Sequence, residues 1–129
     1  MNSRYLLDTQ VLIWAYYLPE RLSKRATTII ESGDAAVSAV SLWEMMIKKD
    51  KPGAAIEDPV AWWQRYVTQR GVEMLPIHAY HVAHLGLLPA LHRDPFDRVL
   101  ICQSIHEKCG LVTIDEEIHR YTDLIVPVW

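Results

Sequence analysis

The sequence predicts an α/β fold, a three-layer α/β/α sandwich with a central, mainly parallel sheet, and three observations support this prediction. Short apolar runs alternate with longer helical segments, which is the order of strands and crossover helices in a parallel sheet. The apolar runs show no polar alternation, as expected for strands covered on both faces. With 129 residues, half of them apolar, the chain has the size of a single domain spanning residues 1–129.

The first predicted strand leads into a carboxylate. Residues 4–7 are largely apolar and run directly into Asp8, after which an apolar segment from Val11 begins a helix. A second helix over residues 23–32 ends at Gly33, because glycine readily adopts the left-handed conformation that closes many helices. Two helices therefore precede the second strand.

The second predicted strand, residues 35–38, is also followed by an acid. Ser41 and Glu44 have the spacing of a capping box, in which each side chain bonds the backbone N–H of the other residue. This spacing predicts a helix over residues 41–49.

The middle of the chain supplies three elements: a helix over residues 58–71, a strand over residues 72–77 and a helix over residues 78–85. The last helix carries His78, His81 and His84. These histidines fan over about 120° of the helix surface with no acid beside them, so we do not assign a metal to them.

The stretch from His92 to Ser104 starts with acids and then turns apolar, which predicts a buried helix with an acidic first turn. Asp94 is a good N-cap, Pro95 fits the first helical position, and Asp97 lies at the third position on the same face as Asp94. The helix is expected to end at Gly110. On this stretch alone, a well-formed helix start is a sufficient explanation for both acids.

The C-terminal region repeats the order of strand and acid. Residues 111–114 form a strand, Asp115 follows at once, a short helix reaches residue 121, and a last strand covers residues 124–128.

Composition narrows the possible functions. The net charge of −3 argues against passive electrostatic binding of nucleic acid, although it allows a metal-assisted enzyme. No run approaches the roughly 18 apolar residues that span a bilayer. Cys102 and Cys109 are about 10 Å apart along one predicted helix, too far for a disulfide, and we expect free thiols in a cytoplasmic protein without membrane contact.

Four acids are expected to meet at one edge of the sheet. Loops that leave the carboxyl ends of parallel strands converge there. Asp8, Glu44 and Asp115 each occupy such a loop, and Asp97 begins a helix that can point the same way. Taken singly, each acid is explained as a helix cap.

Together, the four carboxylates would repel one another unless a cation compensated them. Oxygen ligands at an accessible edge suit Mg²⁺ or Mn²⁺, ions that can activate water against a phosphodiester. No Gly-rich phosphate loop, Gly-x-Ser-x-Gly motif or zinc-spaced cysteine pair competes with this interpretation. The residues therefore predict phosphodiester hydrolysis.

Four motifs, in this order along nearly the whole chain, resemble those of PIN-domain nucleases, specifically the VapC-like toxins of bacterial toxin–antitoxin pairs. They are Leu6-Leu7-Asp8-Thr9, Ser41-Leu42-Trp43-Glu44, Asp94-Pro95-Phe96-Asp97-Arg98 and Val112-Thr113-Ile114-Asp115. The resemblance implies a PIN-like α/β/α sandwich and an endoribonuclease that depends on Mg²⁺ or Mn²⁺. It also implies a homodimer, an RNA substrate and an antitoxin that blocks the acidic cleft.

The resemblance carries over to a catalytic and metal-binding set that comprises Asp8, Glu44, Asp97 and Asp115. We expect Asp8 and Asp97 to bind metal directly, Glu44 to bind metal or position the attacking water, and Asp115 to act through waters or a second ion.

Four further residues are expected around this set: Asp94, Thr9, Thr113 and Arg98. Asp94 either caps the helix that aims Asp97 or accepts a hydrogen bond just outside the ligand set. The two threonines would bond a ligand water or a carboxylate. Arg98 pairs either with a carboxylate or phosphate, or in a surface salt bridge.

Other functions remain open from the sequence. A regulatory, receiver-like or flavodoxin-like α/β domain would use an acidic Mg²⁺ site for phosphorylation, although Glu44 and the late Asp115 fit that poorly. A non-catalytic PIN-like interaction module is a second alternative. A DNA-directed nuclease is a third, because no residue pattern reads the 2′-hydroxyl.

Overall fold

Five short strands form one sheet at the centre of the computed structural model, which describes all residues 1–129. They are Tyr5–Leu7 (β1), Ala35–Ser38 (β2), Met74–Leu75 (β3), Gly110–Val112 (β4) and Pro127–Val128 (β5). Their spatial order is β3-β2-β1-β4-β5, and every neighbouring pair is parallel. The sheet is thus entirely rather than mainly parallel, and the winding direction reverses between β1 and β4.

Six α-helices connect and cover these strands. They are Thr9–Tyr17 (α1), Lys24–Glu31 (α2), Ala39–Lys48 (α3), Pro59–Trp63 (α4), Ala79–Ala83 (α5) and Pro95–Glu107 (α6). Helix α4 continues as a wider π-type turn over Gln64–Thr68. Shorter 3₁₀ turns lie at Pro19–Arg21, His84–Leu87 and Ile118–Tyr121. No helix combines the length and the apolar composition that a membrane crossing requires.

Alternate strand residues face two separate hydrophobic clusters. Leu6 and Leu111 point to the side covered by α6, whereas Leu7 and Val112 point to the side covered by α1, α2 and α4. All four are nearly inaccessible to solvent, as expected for a parallel sheet covered on both faces. The predicted three-layer α/β/α architecture is confirmed.

The predicted capping box at Ser41 is wrong. Helix α3 begins about one turn earlier, at Ala39, because β2 passes directly into it. The Ser38 side chain caps the helix by accepting a hydrogen bond from the Val40 N–H (3.0 Å). Ser41 is therefore buried inside the helix. Glu44 lies in the helix body and has no capping role.

Other boundaries shift by a few residues. Helix α1 starts at Thr9 rather than Val11, and β3 covers only Met74–Leu75 of the predicted residues 72–77. Helix α6 ends at Glu107, with Lys108 as its left-handed C-cap (φ 53°), instead of reaching Gly110.

Gly110 begins β4 instead, and it lies against the Tyr5 ring of the neighbouring strand, where a Cβ atom would come within 3.0 Å of the ring. Both cysteines are buried free thiols, as predicted.

Candidate active site

The four predicted acids meet in one cleft at the carboxyl end of the sheet. Asp8 follows β1 directly, Asp115 follows β4, Glu44 projects from α3 and Asp97 from the first turn of α6. All four line a cleft of about 450 Å³. The cleft lies where the strand order reverses, which is the usual ligand position in open parallel sheets.

Asp8 is the most deeply buried of the four acids. It caps α1 by accepting a bond from the Val11 N–H (2.8 Å), and its other oxygen accepts a bond from the Thr113 hydroxyl. Burial raises the pKa of Asp8 to about 6, although both hydrogen bonds act to lower it. In the absence of a cation, this carboxylate is therefore costly to ionise.

Asp97 shows the largest upward pKa shift among the carboxyl groups. Burial is the main cause, and nearby carboxylates add to it, so that its pKa rises to about 8. The contributing neighbours are Asp94, Glu44, Asp8 and Asp115. Asp97 is consequently protonated at neutral pH unless a positive charge enters the cleft.

Glu44 has one satisfied and one unsatisfied oxygen. Its Oε2 accepts a bond from Lys48 Nζ at 2.5 Å, one helical turn away, and this bond raises the pKa of Lys48. Its Oε1 is buried without any hydrogen-bond partner. A buried acceptor without a partner is unfavourable, so this atom is suited to accept a cation or a donor.

Asp115 behaves differently from the other acids. Its Oδ1 accepts a bond from the Glu117 N–H (2.8 Å), and its Oδ2 accepts one from His92 Nε2 (3.0 Å). Burial acts to raise its pKa, but these bonds outweigh burial and the pKa lies below its usual value. Asp115 is therefore ionised at neutral pH without help from a cation.

Three of the four predicted surrounding residues lie close to the acids. Asp94 caps α6 by accepting bonds from the N–H groups of Phe96 (2.8 Å) and Asp97 (3.4 Å), so it fixes the turn that carries Asp97. Thr113 donates a hydrogen bond to Asp8, as expected for a residue beside the carboxylates.

Thr9 lines the cleft, but its hydroxyl forms a hydrogen bond with the Ser41 hydroxyl (2.9 Å) and so joins α1 to α3.

Arg98 forms no salt bridge with a carboxylate, either in the cleft or at the surface. Its guanidinium donates to backbone carbonyls, the closest being that of His92 at 3.1 Å. The others are the carbonyls of Pro89, Leu85 and Leu88, at 3.3–3.5 Å. Arg98 therefore anchors the loop before α6 instead of pairing with a carboxylate.

Sequence reasoning missed His92. Its Nε2 lies 3.0 Å from Asp115 Oδ2 and 3.1 Å from Asp97 Oδ2, so one imidazole contacts two of the predicted acids. Its nearness to the Asp94 cap was visible in the sequence. Its contact with Asp115 was not, because that residue is 23 positions further along the chain.

The residues of the cleft fit a divalent cation. Four carboxylates supply oxygen ligands, two of them have pKa values raised by burial and mutual repulsion, and Glu44 Oε1 has no partner. A cation in the cleft would lower the cost of ionising Asp8 and Asp97. A set dominated by oxygen suits Mg²⁺ or Mn²⁺.

Comparisons with known proteins agree with this geometry. The family model described as "PIN domain" matches residues 5–124. A curated protein named Ribonuclease VapC22, from Mycobacterium tuberculosis (strain ATCC 25618 / H37Rv), is 32% identical over 122 residues, which cover 90% of this chain and 92% of that protein.

Solved structures with the same fold include two complexes. One is described as VapBC2 from Rickettsia felis bound to a DNA fragment from their promoter, with a TM-score of 0.70 and 19% identity; the match covers 97% of this chain and 98% of that chain. The other is described as DNA-bound VapBC from Salmonella typhimurium, with a TM-score of 0.70 and 16% identity over 97% and 96% of the two chains. At these identities the likeness concerns the fold.

Proposed function

Because the chain belongs to the PIN-domain family, we propose that it is a metal-dependent endoribonuclease that hydrolyses RNA phosphodiester bonds and acts as the toxin of a toxin–antitoxin pair. The observation that carries this proposal is the convergence of Asp8, Glu44, Asp97 and Asp115, from four separate segments, in one cleft. Capping can explain some of these acids singly, but it does not explain why they share a cleft at the cost of raised pKa values.

Mg²⁺ or Mn²⁺ is the proposed cofactor, held by Asp8, Asp97 and Glu44. Asp8 and Asp97 are the groups whose ionisation most needs a cation, and Glu44 offers the unpartnered Oε1. Asp115 already accepts two hydrogen bonds, so it contributes through water. When bound, a divalent ion supplies Lewis-acid stabilisation of the charge that develops on the phosphate.

The substrate assignment rests on the ribonuclease relative and on the cations at the cleft. Lys48 and Lys49 both line the cleft and can attract a phosphate backbone, although the whole chain is acidic. Lys48 would contact the RNA from the position where it bonds Glu44. A DNA substrate is the alternative that the cleavage assay distinguishes.

The cleavage experiment uses purified protein freed of any antitoxin. We expect cleavage of total cellular RNA with Mn²⁺ or Mg²⁺, none in excess chelator, and none by Asp97→Asn in either condition. Asp58→Asn is the matched control, because Asp58 is an exposed acid that caps α4 without lining the cleft, and the change removes the same charge. Single-stranded DNA of matched sequence should stay intact.

Four outcomes would contradict the proposal. Cleavage that survives in chelator would exclude the metal, and normal cleavage by Asp97→Asn would exclude the site. Degradation of DNA in preference to RNA would exclude the substrate class. A folded protein that cleaves neither would support a non-catalytic or regulatory α/β domain with an acidic Mg²⁺ site.

The proposed partners are a cognate antitoxin and a second copy of this chain, in the cytoplasm. Large apolar side chains on α3 near Glu44 remain exposed, by 44% for Trp43, 38% for Met46 and 53% for Ile47, which is typical of a surface that binds protein. Light scattering after gel filtration should give twice the chain mass of 14.9 kDa. A monomeric mass at all concentrations would contradict the homodimer.

A further inference from the structure

We infer that His92 is a positioning residue of the acidic cleft: its Nε2–H group donates to Asp115, the same nitrogen contacts Asp97, and together these contacts set the orientation of both carboxylates toward the cation. The inference rests on the proposed metal-dependent function. It begins from the observation that Nε2 lies 3.1 Å from Asp97 Oδ2 and 3.0 Å from Asp115 Oδ2. The ring is almost fully buried, with its side chain 10% exposed.

The other ring nitrogen determines which role His92 can play. His92 Nδ1 accepts a bond from the Asp94 backbone N–H (3.0 Å), so its lone pair is in use and the ring proton resides on Nε2. An Nε2 that carries a proton donates to carboxylates and does not bind a metal. The arrangement therefore favours a donor to Asp115 that also contacts Asp97, although the nitrogen and both oxygens lie within 4.8 Å of one another, as metal ligands would.

The backbone of His92 is held on both sides. Its N–H donates to the Tyr121 hydroxyl (2.8 Å), which also accepts from the Leu91 N–H (3.0 Å) and donates to the Pro89 carbonyl (2.7 Å). Its carbonyl accepts from Arg98 (3.1 Å). With both backbone groups and both ring nitrogens engaged, the imidazole is a fixed point to which the two carboxylates conform.

This fixed point joins two elements that otherwise carry their acids independently. Asp97 lies on α6, whereas Asp115 lies in the loop after β4. Two adjacent carboxylates repel, and a donor placed between them holds the pair in one arrangement while the remaining oxygen of Asp97 stays available. Hydrogen-bonding partners of metal ligands typically change metal affinity by about 10–100-fold when they are removed.

Two substitutions of His92 test the roles of its two ring nitrogens independently. Asn places an acceptor where Nδ1 lies but does not reach the carboxylates, whereas Gln places an N–H donor where Nε2 lies. We expect His92→Asn to raise the Kd for Mn²⁺ about 10–100-fold and His92→Gln to stay within about 3-fold of wild type. The dissociation constant is measured on purified metal-free protein by the loss of the free Mn²⁺ paramagnetic resonance signal.

His84→Asn is the matched control, because His84 bonds His106 (3.0 Å) on an exposed surface outside the cleft. It should bind Mn²⁺ like the wild type. A further measurement needs only the wild-type protein. Long-range ¹H–¹⁵N correlation spectra of the imidazole rings should show that His92 carries its proton on Nε2 and that Nδ1 is not protonated.

Four results would overturn the inference. The first is a Kd of His92→Asn for Mn²⁺ that equals the wild-type value, and the second is a loss of Mn²⁺ affinity in His92→Gln as large as that in His92→Asn. The third is a ring proton found on Nδ1. The fourth is ¹⁴N coupling to bound Mn²⁺ that disappears in His92→Asn, which would make His92 a metal ligand. If folded wild-type protein binds no Mn²⁺ at all, the proposed metal-dependent function fails first and this inference fails with it.

Discussion

At the residue scale, Asp97 and Asp115 face the same His92 nitrogen, yet their pKa values move in opposite directions. Asp97 is buried among other carboxylates, and its pKa rises to about 8. Asp115 is more exposed and accepts two well-placed hydrogen bonds, so its pKa falls below the usual value. The cleft therefore holds one carboxyl group that needs a cation to ionise beside one that does not.

The raised pKa of Asp97 predicts a pH-dependent stability of the metal-free protein. An unfolded Asp loses its proton near its ordinary value of 3.8, whereas native Asp97 keeps its proton until about 8, so unfolding releases a proton between these values. The stability contributed by this group therefore falls as pH rises through that window. Relative to wild type, Asp97→Asn should gain stability toward pH 8, on the order of a few kcal/mol.

Urea unfolding in chelator at pH 5 and pH 8 checks this prediction. The difference in free energy of unfolding between Asp97→Asn and wild type should be larger at pH 8 than at pH 5. For Asp58→Asn, which removes an acid outside the cleft, this difference should not increase with pH. A difference that is constant with pH would mean that Asp97 ionises normally in the folded protein.

At the element scale, the start of α6 combines a structural role with a functional one. Asp94 caps the helix, and the same first turn carries Asp97 into the cleft. The sequence interpretation of Asp94 as a cap is confirmed. Capping and positioning are therefore one property of this turn, and a change in the cap should affect both stability and cleavage.

We predict that Asp94→Ala lowers the free energy of unfolding by about 1 kcal/mol, the usual value of an N-cap, and also reduces RNA cleavage. Asp58→Ala is the matched control, because Asp58 caps α4 through the Ala61 N–H (3.1 Å) and is likewise followed by proline. It should cost similar stability without reducing cleavage. Equal cleavage by both variants would show that the Asp94 cap does not position Asp97.

The C-terminus of α6 offers a stabilising substitution. Lys108 is exposed and adopts the left-handed conformation (φ 53°), which glycine accepts without steric strain. Lys108→Gly should raise the free energy of unfolding by up to about 1 kcal/mol. The gain should be visible in thermal denaturation, and a lower melting temperature would show that the lysine side chain stabilises this helix end.

Sequence patterns predicted the elements better than their ends. Strands of a covered parallel sheet leave short, largely apolar runs, so all five strands were predicted in order. Helix starts depend on which of several competing side chains caps the backbone. Ser38 and Ser41 are both suitable residues one turn apart, and the direct passage from β2 into α3, which chooses Ser38, has no local signal.

At the scale of the whole molecule, the meeting of the four acids followed from topology, because the carboxyl ends of parallel strands share one edge. The contact of His92 with Asp97 and Asp115 and the carbonyl contacts of Arg98 did not follow. They depend on the path of a loop that Tyr121 and Arg98 hold from two other elements. The conformation of this loop cannot be predicted from the periodicity of the sequence.

Metal binding should stabilise the whole fold, because the cation binds the native cleft and not the unfolded chain. Mn²⁺ at 100 times its Kd should add about 2.7 kcal/mol to the free energy of unfolding of wild type. Asp97→Asn should show a much smaller gain at the same concentration. Thermal denaturation with and without Mn²⁺ measures the effect, and equal gains in both proteins would place the ion elsewhere.

The strand order also sets when the cleft can exist during synthesis. Of the five strands, β1 is translated before the others, yet one of its two neighbours is β4, and Asp8 accepts a hydrogen bond from Thr113, 105 residues later. Chain growth is slow compared with the formation of local structure, so the early helices can form long before this neighbour arrives. The nascent chain therefore cannot complete the acidic cleft until β4, Thr113 and Asp115 have been translated, so the ribosome is not exposed to an assembled site while the preceding residues are being made.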